Sequence, residues 1–298
     1  MNILNLITEI ERVDPEVYER LDQRRQIFRH FAGFGKKLAA SAVPLAMGSM
    51  FQKAYGQSSG LSDQVKFVLN FALGLEYLEY YFYQTGLDSA GLLTGQTRSS
   101  VTTIRNDERK HVDFLRSVLG SAAIANPGVG AYDFTGAKGG SRPALFADVF
   151  TNQGTFLAVA QALEDTGVRA YKGGAPLLIS NNTVLEAALN IHSVEARHAS
   201  HIRTIRRGGP QAVPGDLSSK PKSWISGNDN GGPAPSATAP VYGAGNPAAD
   251  YPGEENTTQA GVNLASLPGV TMAEASEAFD EPLDPNTVLA IASNFLVK

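Results

Sequence analysis

The chain has 298 residues, 43% of them hydrophobic, which is the composition of a folded protein and excludes wholesale disorder. Lys and Arg number 25 against 29 Asp and Glu, so the net charge of −4 offers no basic footprint for nucleic acid. The chain has no cysteine, which excludes disulfides, thiolate catalysis, zinc fingers and iron–sulfur clusters and leaves 5 His and the carboxylates as ligands for any metal.

Residues 1–61 are predicted to be an N-terminal extension that carries an export signal. The sequence that begins at Arg24-Arg25, and that continues with two apolar residues and a further basic residue, resembles a twin-arginine signal. An apolar stretch, 38–51, follows it, and small residues lie at 54–56. This pattern favours a periplasmic or extracellular protein over a cytoplasmic one. The alternative is a basic amphipathic helix that packs on the domain or contacts a partner. No apolar run reaches the roughly 18 residues that a membrane span requires.

Four long segments with apolar residues at helical spacing occupy residues 62–207. We predict a first helix over about 62–86, with Ser62 as its N-cap, and a second over 98–119 that ends at Gly120. A third helix is predicted over 151–172, ending at Gly173-Gly174, and a fourth over 181–208. A turn-rich stretch (121–141) and a short helix after Pro143 separate the second helix from the third. Strand signals are nearly absent. The predicted fold is all-α: a four-helix bundle made of two helix hairpins and one long crossover.

The rest of the chain is predicted to be an irregular C-terminal extension. Residues 208–253 contain nine Gly and eight Pro, which argue against a helix there, and the irregular segment is predicted to run over 208–265. Residues 266–298 are predicted to form short helices. Thr271 and Glu274 have the spacing of a capping box, and an apolar helix is predicted at 288–297. These short helices are expected to dock on the bundle.

The two predicted hairpins are related by an internal repeat. Aligning Glu76 with Glu164 places Tyr83 over Tyr171 without a gap. Aligning the second helix with the fourth places one Glu-x-x-His motif, Glu108 and His111, over another, Glu195 and His198. Each half of the bundle therefore supplies one Glu followed by one Glu-x-x-His.

This pattern predicts a site for two metal ions inside the bundle. Residues at i and i+3 lie on one face of a helix, so each Glu-x-x-His presents a carboxylate and an imidazole to a common point. The six candidate ligands carry four negative charges, which two divalent cations would cancel. Without cations, ionised carboxylates facing an apolar interior would cost more than the stability of the domain. Oxygen and imidazole ligands suit iron or manganese. The six are Glu76, Glu108, His111, Glu164, Glu195 and His198.

The order Glu…Glu-x-x-His…Glu…Glu-x-x-His resembles that of the ferritin-like di-metal carboxylate superfamily. Within it, Leu-Glu-Tyr-Leu-Glu at 75–79 and Phe-Asp-Glu-Pro-Leu at 279–283 resemble bacterial ferritin-like proteins related to plant desiccation-associated proteins. The resemblance is strong over 62–207 and weaker in the C-terminal part. It implies a ferritin-like four-helix bundle with ferroxidase-like, catalase-like or oxidase activity, since these activities share one ligand set.

Several neighbours of the six residues leave alternatives open. Glu79 lies three residues after Glu76 and would replace it as a ligand or support it from outside, although the repeat favours Glu76 because Glu79 falls opposite Gly167. His201 is expected to be an outer partner or exposed rather than a third imidazole ligand. Tyr80, Tyr83 and Tyr171 are expected to be core aromatics whose hydroxyls find partners. Gly74 and Gly167 are expected to let neighbouring backbones approach, or to open space beside the metals.

Two functions fit these expectations. The first is a redox enzyme in which two iron or manganese ions react with oxygen or hydrogen peroxide, with Glu108 and Glu195 spanning both ions. The second is a structural, stress-protective or assembly protein whose metals only stabilise the bundle. A degenerate binding module without metal is disfavoured because all six ligands are present. The long extensions argue against a compact storage shell, and a smaller homo-oligomer remains compatible with the sequence.

Overall fold

The computed structural model describes residues 60–215, 220–229 and 235–297, which all belong to one compact unit, Ala54–Lys298. The predicted twin-arginine motif, Arg24-Arg25, and the apolar stretch 38–51 lie outside the described residues. Export of the protein therefore stays a prediction.

The first hairpin consists of α1 (Asp63–Asp88) and α2 (Gly95–Leu119). Helix α1 begins where predicted, because the side chain of Ser62 accepts a hydrogen bond from the backbone N–H of Val65. Helix α2 begins slightly earlier than predicted and ends at Gly120, which has a positive φ of 56°. Both helices bury one long apolar face, as the spacing of their apolar residues predicts.

The second hairpin consists of α3 (Gln153–Gly174) and α4 (Asn182–Arg207). Asn152 and Asn181 cap the two helices through their side-chain oxygens. Helix α4 ends at the predicted glycine, Gly208, whose φ of 101° is one that residues with a β-carbon rarely adopt. None of the described helices combines the length and the apolar character that a membrane-spanning segment needs.

Helix α3 ends at Gly174, as predicted, and α1 ends two residues after the predicted limit, Gly86. Helix α1 continues past Gly86, where a β-carbon would lie 2.2 Å from the ring of Phe156. Helix α3 includes Gly173, where a β-carbon would lie 2.2 Å from the carbonyl oxygen of Leu283. After α3 the chain continues into a 3₁₀ turn, Ala175–Leu178. Gly86 and Gly173 therefore also permit close packing near the ends of their helices.

The crossover between the hairpins, residues 120–152, contains two 3₁₀ turns, Gly120–Ala122 and Val129–Ala131. The helix predicted after Pro143 is not formed, and turns occupy its place. The backbone N–H of Phe146 donates to the carbonyl oxygen of Thr135 across the loop, at 2.9 Å. The ring of Phe146 stacks on that of Phe295. Packing of this aromatic side chain therefore holds the segment in turns.

The C-terminal extension is more ordered than its glycine and proline content suggests. Its described elements are α5 (Pro235–Tyr242), the antiparallel strands β1 (Thr258–Gln259) and β2 (Val262–Asn263), the 3₁₀ turn Leu264–Ser266, α6 (Met272–Glu277), α7 (Pro285–Ala292) and the 3₁₀ turn Ser293–Phe295. The predicted capping box of Thr271 and Glu274 begins α6. The exclusion of a helix from 208–253 was wrong, because burial of Val241 and Tyr242 supports α5 despite its prolines.

The extension packs on helix α3 of the bundle. Leu283, Val288 and Ile291 form an apolar cluster with Val241 and with Ala162 of α3. This contact explains why most faces of α3 are buried.

A buried arginine of α3 ties the extension to the bundle. Arg169 is fully buried, and its guanidinium donates hydrogen bonds to the backbone carbonyls of Gly243, Pro252 and Glu281 at 2.9 to 3.0 Å. It also pairs with the buried carboxylate of Glu254 at 2.9 Å. Because buried polar groups require partners, the extension and the bundle depend on each other for hydrogen bonding.

Candidate metal centre

The structure brings the six predicted ligands together inside the bundle. Each helix of a hairpin contributes: α1 and α3 one Glu each, α2 and α4 one Glu-x-x-His each. All six side chains are buried, and the four carboxylate residues are 0% exposed: Glu76, Glu108, His111, Glu164, Glu195 and His198. Side chains far apart in the sequence therefore converge in one small volume.

Their ligand atoms form two groups of four, in each of which the atoms lie within 4.8 Å of one another. The first group, here called group A, comprises Glu76, Glu108, His111 and Glu195. Group B comprises Glu108, Glu164, Glu195 and His198. Two carboxylates, those of Glu108 and Glu195, belong to both groups. Each group has the donors that a cation requires, and the shared carboxylates connect the two.

Several of these atoms are buried without a hydrogen-bond partner. They are Oε1 of Glu108, Oε2 of Glu164, both carboxylate oxygens of Glu195 and Nδ1 of His198. Nδ1 of His198 lies only 2.8 Å from Oε1 of Glu108, but not in hydrogen-bond geometry. Unpartnered buried polar atoms are rare because each costs about 1–3 kcal/mol or more. Convergent lone pairs of this kind fit a cation, and the oxygen and imidazole donors suit iron or manganese.

The imidazoles are held with one nitrogen toward the carboxylates. Nδ1 of His111 lies 3.1 Å from both Glu76 and Glu108 and 3.2 Å from Glu195. The other ring nitrogen of His198, Nε2, lies 3.5 Å from the carboxylate of Asp107. A carboxylate behind an imidazole selects the tautomer and orientation that leave Nδ1 free to bind a metal.

Two tyrosines support the carboxylates across the bundle. The hydroxyl of Tyr83 on α1 donates to Oε1 of Glu164 on α3. The hydroxyl of Tyr171 on α3 donates to Oε1 of Glu76 on α1. The repeat seen in the sequence is therefore present in the hydrogen bonds, with each hairpin orienting the Glu of the other. Tyr80, which was grouped with these two, instead has the guanidinium of Arg109 over its ring.

Burial and mutual repulsion change the proton affinity of the carboxylates. Burial raises the pKa of Glu76 to about 7, against the opposing influence of His111. Burial raises the pKa of Glu195 well above its ordinary value, and the charge of Glu108 adds to this. Burial also disfavours ionised Glu108, but the two histidines outweigh it and lower its pKa. Without cations, the centre therefore holds protons, and metal ions must displace them.

The pKa values of the two histidines are shifted in the direction opposite to the one that burial alone would cause. Burial disfavours charged His111, but the carboxylates of Glu76 and Glu108 outweigh it and raise the pKa of His111 well above its usual range. The pKa of His198 is raised in the same way, against burial, chiefly by Glu164 and Asp107. Both imidazoles thus serve as protonated counter-charges until a metal replaces the proton.

The remaining candidates divide into one residue inside the centre and others outside it. Glu79 is buried beside the six ligands but belongs to neither group. His201 is exposed, and its Nε2 lies 2.9 Å from Oγ of Ser100. His192 is half-buried with its Nδ1 3.0 Å from the carbonyl oxygen of Val168. We therefore find neither histidine within the two groups, which agrees with the interpretation of His201 as an outer residue.

Gly74 and Gly167, the two glycines that were predicted to allow close approach or to open space beside the metals, have different surroundings. A β-carbon at Gly167 would lie 3.1 Å from Oε2 of Glu195 and 3.4 Å from Oε1 of Glu79, so this glycine opens space beside the carboxylates as expected. A β-carbon at Gly74 would meet only the side chain of Ile124, at 3.8 Å. The prediction of a close approach at Gly74 was therefore wrong.

The sequence interpretation missed Asp107. It immediately precedes Glu108, whereas the repeat places Val194 at the matching position, so the repeat alignment drew no attention to it. The signal that could have found it is the carboxylate next to a Glu-x-x-His motif. On a helix that side chain points toward the neighbouring α4, where His198 lies.

A model of the ferritin-like domain family matches residues 65–207, the segment that forms the four-helix bundle and contains all six candidate ligands. No curated protein and no solved structure is significantly similar to the chain. The narrower resemblance to desiccation-associated proteins stays a prediction. On its sequence and on the geometry of its bundle, the segment 65–207 is a domain of the ferritin-like superfamily.

Proposed function

We propose that this domain binds two iron or manganese ions and performs redox chemistry with dioxygen or hydrogen peroxide. The observation that supports it most is the set of unpartnered atoms in the centre, on Glu108, Glu164, Glu195 and His198. Two bound cations would give these atoms partners and would cancel the charge of the carboxylates.

The composition of the two groups assigns a role to each residue. Glu108 and Glu195 are common to groups A and B and would span both ions. Glu76 and His111 complete group A, and Glu164 and His198 complete group B. Bound iron or manganese supplies reversible one-electron steps between divalent and trivalent states, and carboxylate ligands favour the higher charge.

The surrounding residues hold protons and orient the ligands. The hydroxyl of Tyr83 donates a hydrogen bond to one oxygen of Glu164, and that of Tyr171 donates to one oxygen of Glu76. The other oxygen of each carboxylate is therefore directed toward the metal group to which that glutamate belongs. The carboxylate of Asp107 fixes the ring of His198. Burial of the two tyrosines and of the six ligands excludes bulk water and strengthens each electrostatic interaction in the centre.

The test is metal content followed by oxidant consumption. Protein purified from its native host is analysed by elemental mass spectrometry, because a heterologous host can insert a different metal. We expect two iron or manganese ions per chain, and metal-dependent consumption of oxygen or peroxide that is lost in Glu108→Ala. The control is Glu186→Ala, which removes an exposed Glu of α4. Protein that holds two ions yet reacts with neither oxidant would refute the redox function.

The structural alternative has one observation in its favour. The candidate ligands come from all four helices of the bundle, so two bound ions would cross-link α1, α2, α3 and α4. In this case chelation would lower the thermal stability or the assembly of the protein, and no turnover would be found with either oxidant. A chelated protein with unchanged stability and assembly would exclude this alternative.

A further inference from the structure

A pocket beside the second hairpin takes no part in the candidate metal centre. It lies between α3, α4 and the C-terminal extension, and its volume is about 260 Å³. This volume is far larger than one water molecule needs and is just below the roughly 300 Å³ at which small-molecule sites begin. None of the six candidate ligands lines the pocket. It is therefore a separate cavity with room for a small molecule.

Two exposed aromatic side chains line this pocket. Trp224 is 53% exposed and Phe279 is 45% exposed. Phe279 begins the Phe-Asp-Glu-Pro-Leu motif at 279–283, to which the metal centre assigns no role. Aromatic side chains of this size usually bury most of their apolar surface. Their position on one cavity therefore fits a ligand that contacts aromatic rings.

The pocket also contains a carboxylate that has no ion-pair partner in the described part of the chain. This residue, Asp280, lines the pocket and is half-buried. Lys172 donates a hydrogen bond to the backbone carbonyl of Asp280 and not to its carboxylate. Burial and the nearby charge of Asp165 raise the pKa of Asp280. The imidazole that interacts with it, His192, is neutral at pH 7 because burial lowers its pKa. A cation in the pocket would supply the missing partner.

The other charged side chains that line the pocket are engaged with one another or with their neighbours. The fully buried guanidinium of Arg203 pairs with the carboxylate of Asp165 at 2.5 Å and with that of Asp229. The carboxylate of Glu277 pairs with the ammonium group of Lys222. These pairs fix the walls of the pocket before a ligand binds, which lowers the cost of binding. They leave Asp280 as the accessible anionic group.

We propose that this pocket binds a small organic cation, whose alkylated ammonium group contacts the rings of Trp224 and Phe279 and pairs with the carboxylate of Asp280. Aromatic rings attract a cation to their faces, and the carbon atoms of an alkylated ammonium group remove apolar ring surface from water. A hydrated inorganic cation gains less from such walls. The proposal does not depend on the di-metal function, because no candidate ligand lines the pocket.

The test is a titration of the full chain with choline and with the neutral alcohol that has a carbon atom in place of the choline nitrogen, followed by calorimetry and by saturation-transfer nuclear magnetic resonance. The two probes have the same shape and differ in their charge. We expect the wild-type protein to bind choline, and to bind the alcohol at least about 10-fold more weakly. Equal affinities for the two probes, or no binding of choline, would overturn the proposal.

Two pairs of variants assign the binding to this pocket. Asp280→Asn keeps the shape of the side chain but removes its charge, and should weaken choline binding about 10-fold, whereas Asp250→Asn at an exposed position of the extension should not. Trp224→Leu should weaken it by a similar factor, whereas Phe67→Leu, at a 58% exposed position of α1, should not. Choline affinities that are the same within each pair would contradict the proposal. Glucose is the remaining probe, because aromatic rings beside a carboxylate also fit a sugar. Binding of glucose in place of choline, lost in Trp224→Leu, would overturn the assignment of a cation.

Discussion

Removal of the metal ions should make the folded protein more stable at mildly acidic pH than at neutral pH. Burial raises the pKa of Glu76 from 4.5 to about 7, so the folded state retains a proton that the unfolded state releases. This contribution to stability is complete below pH 4.5 and is lost as the pH rises through about 7. At about 1.4 kcal/mol per pKa unit, the shift corresponds to roughly 3 kcal/mol, most of which should appear between pH 5 and pH 8.

The other groups of the centre act in the same direction or outside this range. Glu79 and Glu195 also have pKa values raised by burial, so they act in the same direction as Glu76. The raised pKa of His111 extends the loss of stability above pH 6.5. Glu108, whose pKa is lowered by the histidines, contributes stability that is lost only below pH 4.5.

The assay is urea denaturation of chelated protein, followed by circular dichroism at pH 5 and pH 8. Comparison of the wild type with Glu76→Gln cancels the groups outside the centre. We expect the wild-type protein to lose about 2–3 kcal/mol more than the variant between the two pH values. Glu186→Gln, at an exposed position of α4, should behave like the wild type. Added Mn²⁺ should reverse the pH dependence, because metal binding requires deprotonated ligands.

Equal pH dependence in wild type and Glu76→Gln would refute the reasoning. It would mean that burial does not raise the pKa of Glu76 in the metal-free protein. The same conclusion would follow if the stability of the chelated wild-type protein rose between pH 5 and pH 8.

Three further predictions concern single residues. Asp107→Asn removes the carboxylate behind His198 and should weaken metal binding about 10- to 100-fold with little change in the melting temperature, as measured by calorimetry. Arg169→Met leaves several buried carbonyls and a carboxylate without a partner, so it should destabilise the protein by about 3–5 kcal/mol and expose the C-terminal extension to limited proteolysis. Gly173→Ala places a β-carbon 2.2 Å from the Leu283 carbonyl oxygen and should lower the melting temperature in scanning calorimetry, whereas the matched Gly74→Ala should not. An unchanged metal affinity in Asp107→Asn, or an unaltered protease pattern in Arg169→Met, would contradict the contact that the variant removes. Equal melting temperatures of Gly173→Ala and Gly74→Ala would contradict the close approach at Gly173.

The four helices of the bundle could be predicted from the sequence because their signals are local. Apolar spacing, the caps at Ser62 and Asn181 and the glycines at 120 and 208 act within one or two turns of the chain. The close contacts of the glycines at 86 and 173 could not be predicted, because their neighbours, Phe156 and Leu283, are distant in sequence. A glycine at a helix end and a glycine at a close contact have the same appearance in a sequence.

The C-terminal extension shows the same limit. Its proline and glycine content argues against a helix, yet α5 forms because Val241 and Tyr242 are buried in the fold. The helix expected after Pro143 is absent because Phe146 packs against Phe295, far along the chain. In both segments, tertiary contacts outweighed local preference.

The sequence by itself determined the helical fold and the six candidate ligands, because helical spacing and the repeated Glu-x-x-His are properties of neighbouring residues. Only the tertiary structure decided which oxygens lack partners and that the Asp107 carboxylate lies behind His198. Burial and charge at the centre are sums over side chains from all four helices. No single segment carries that information, so it exists only when the helices are packed together.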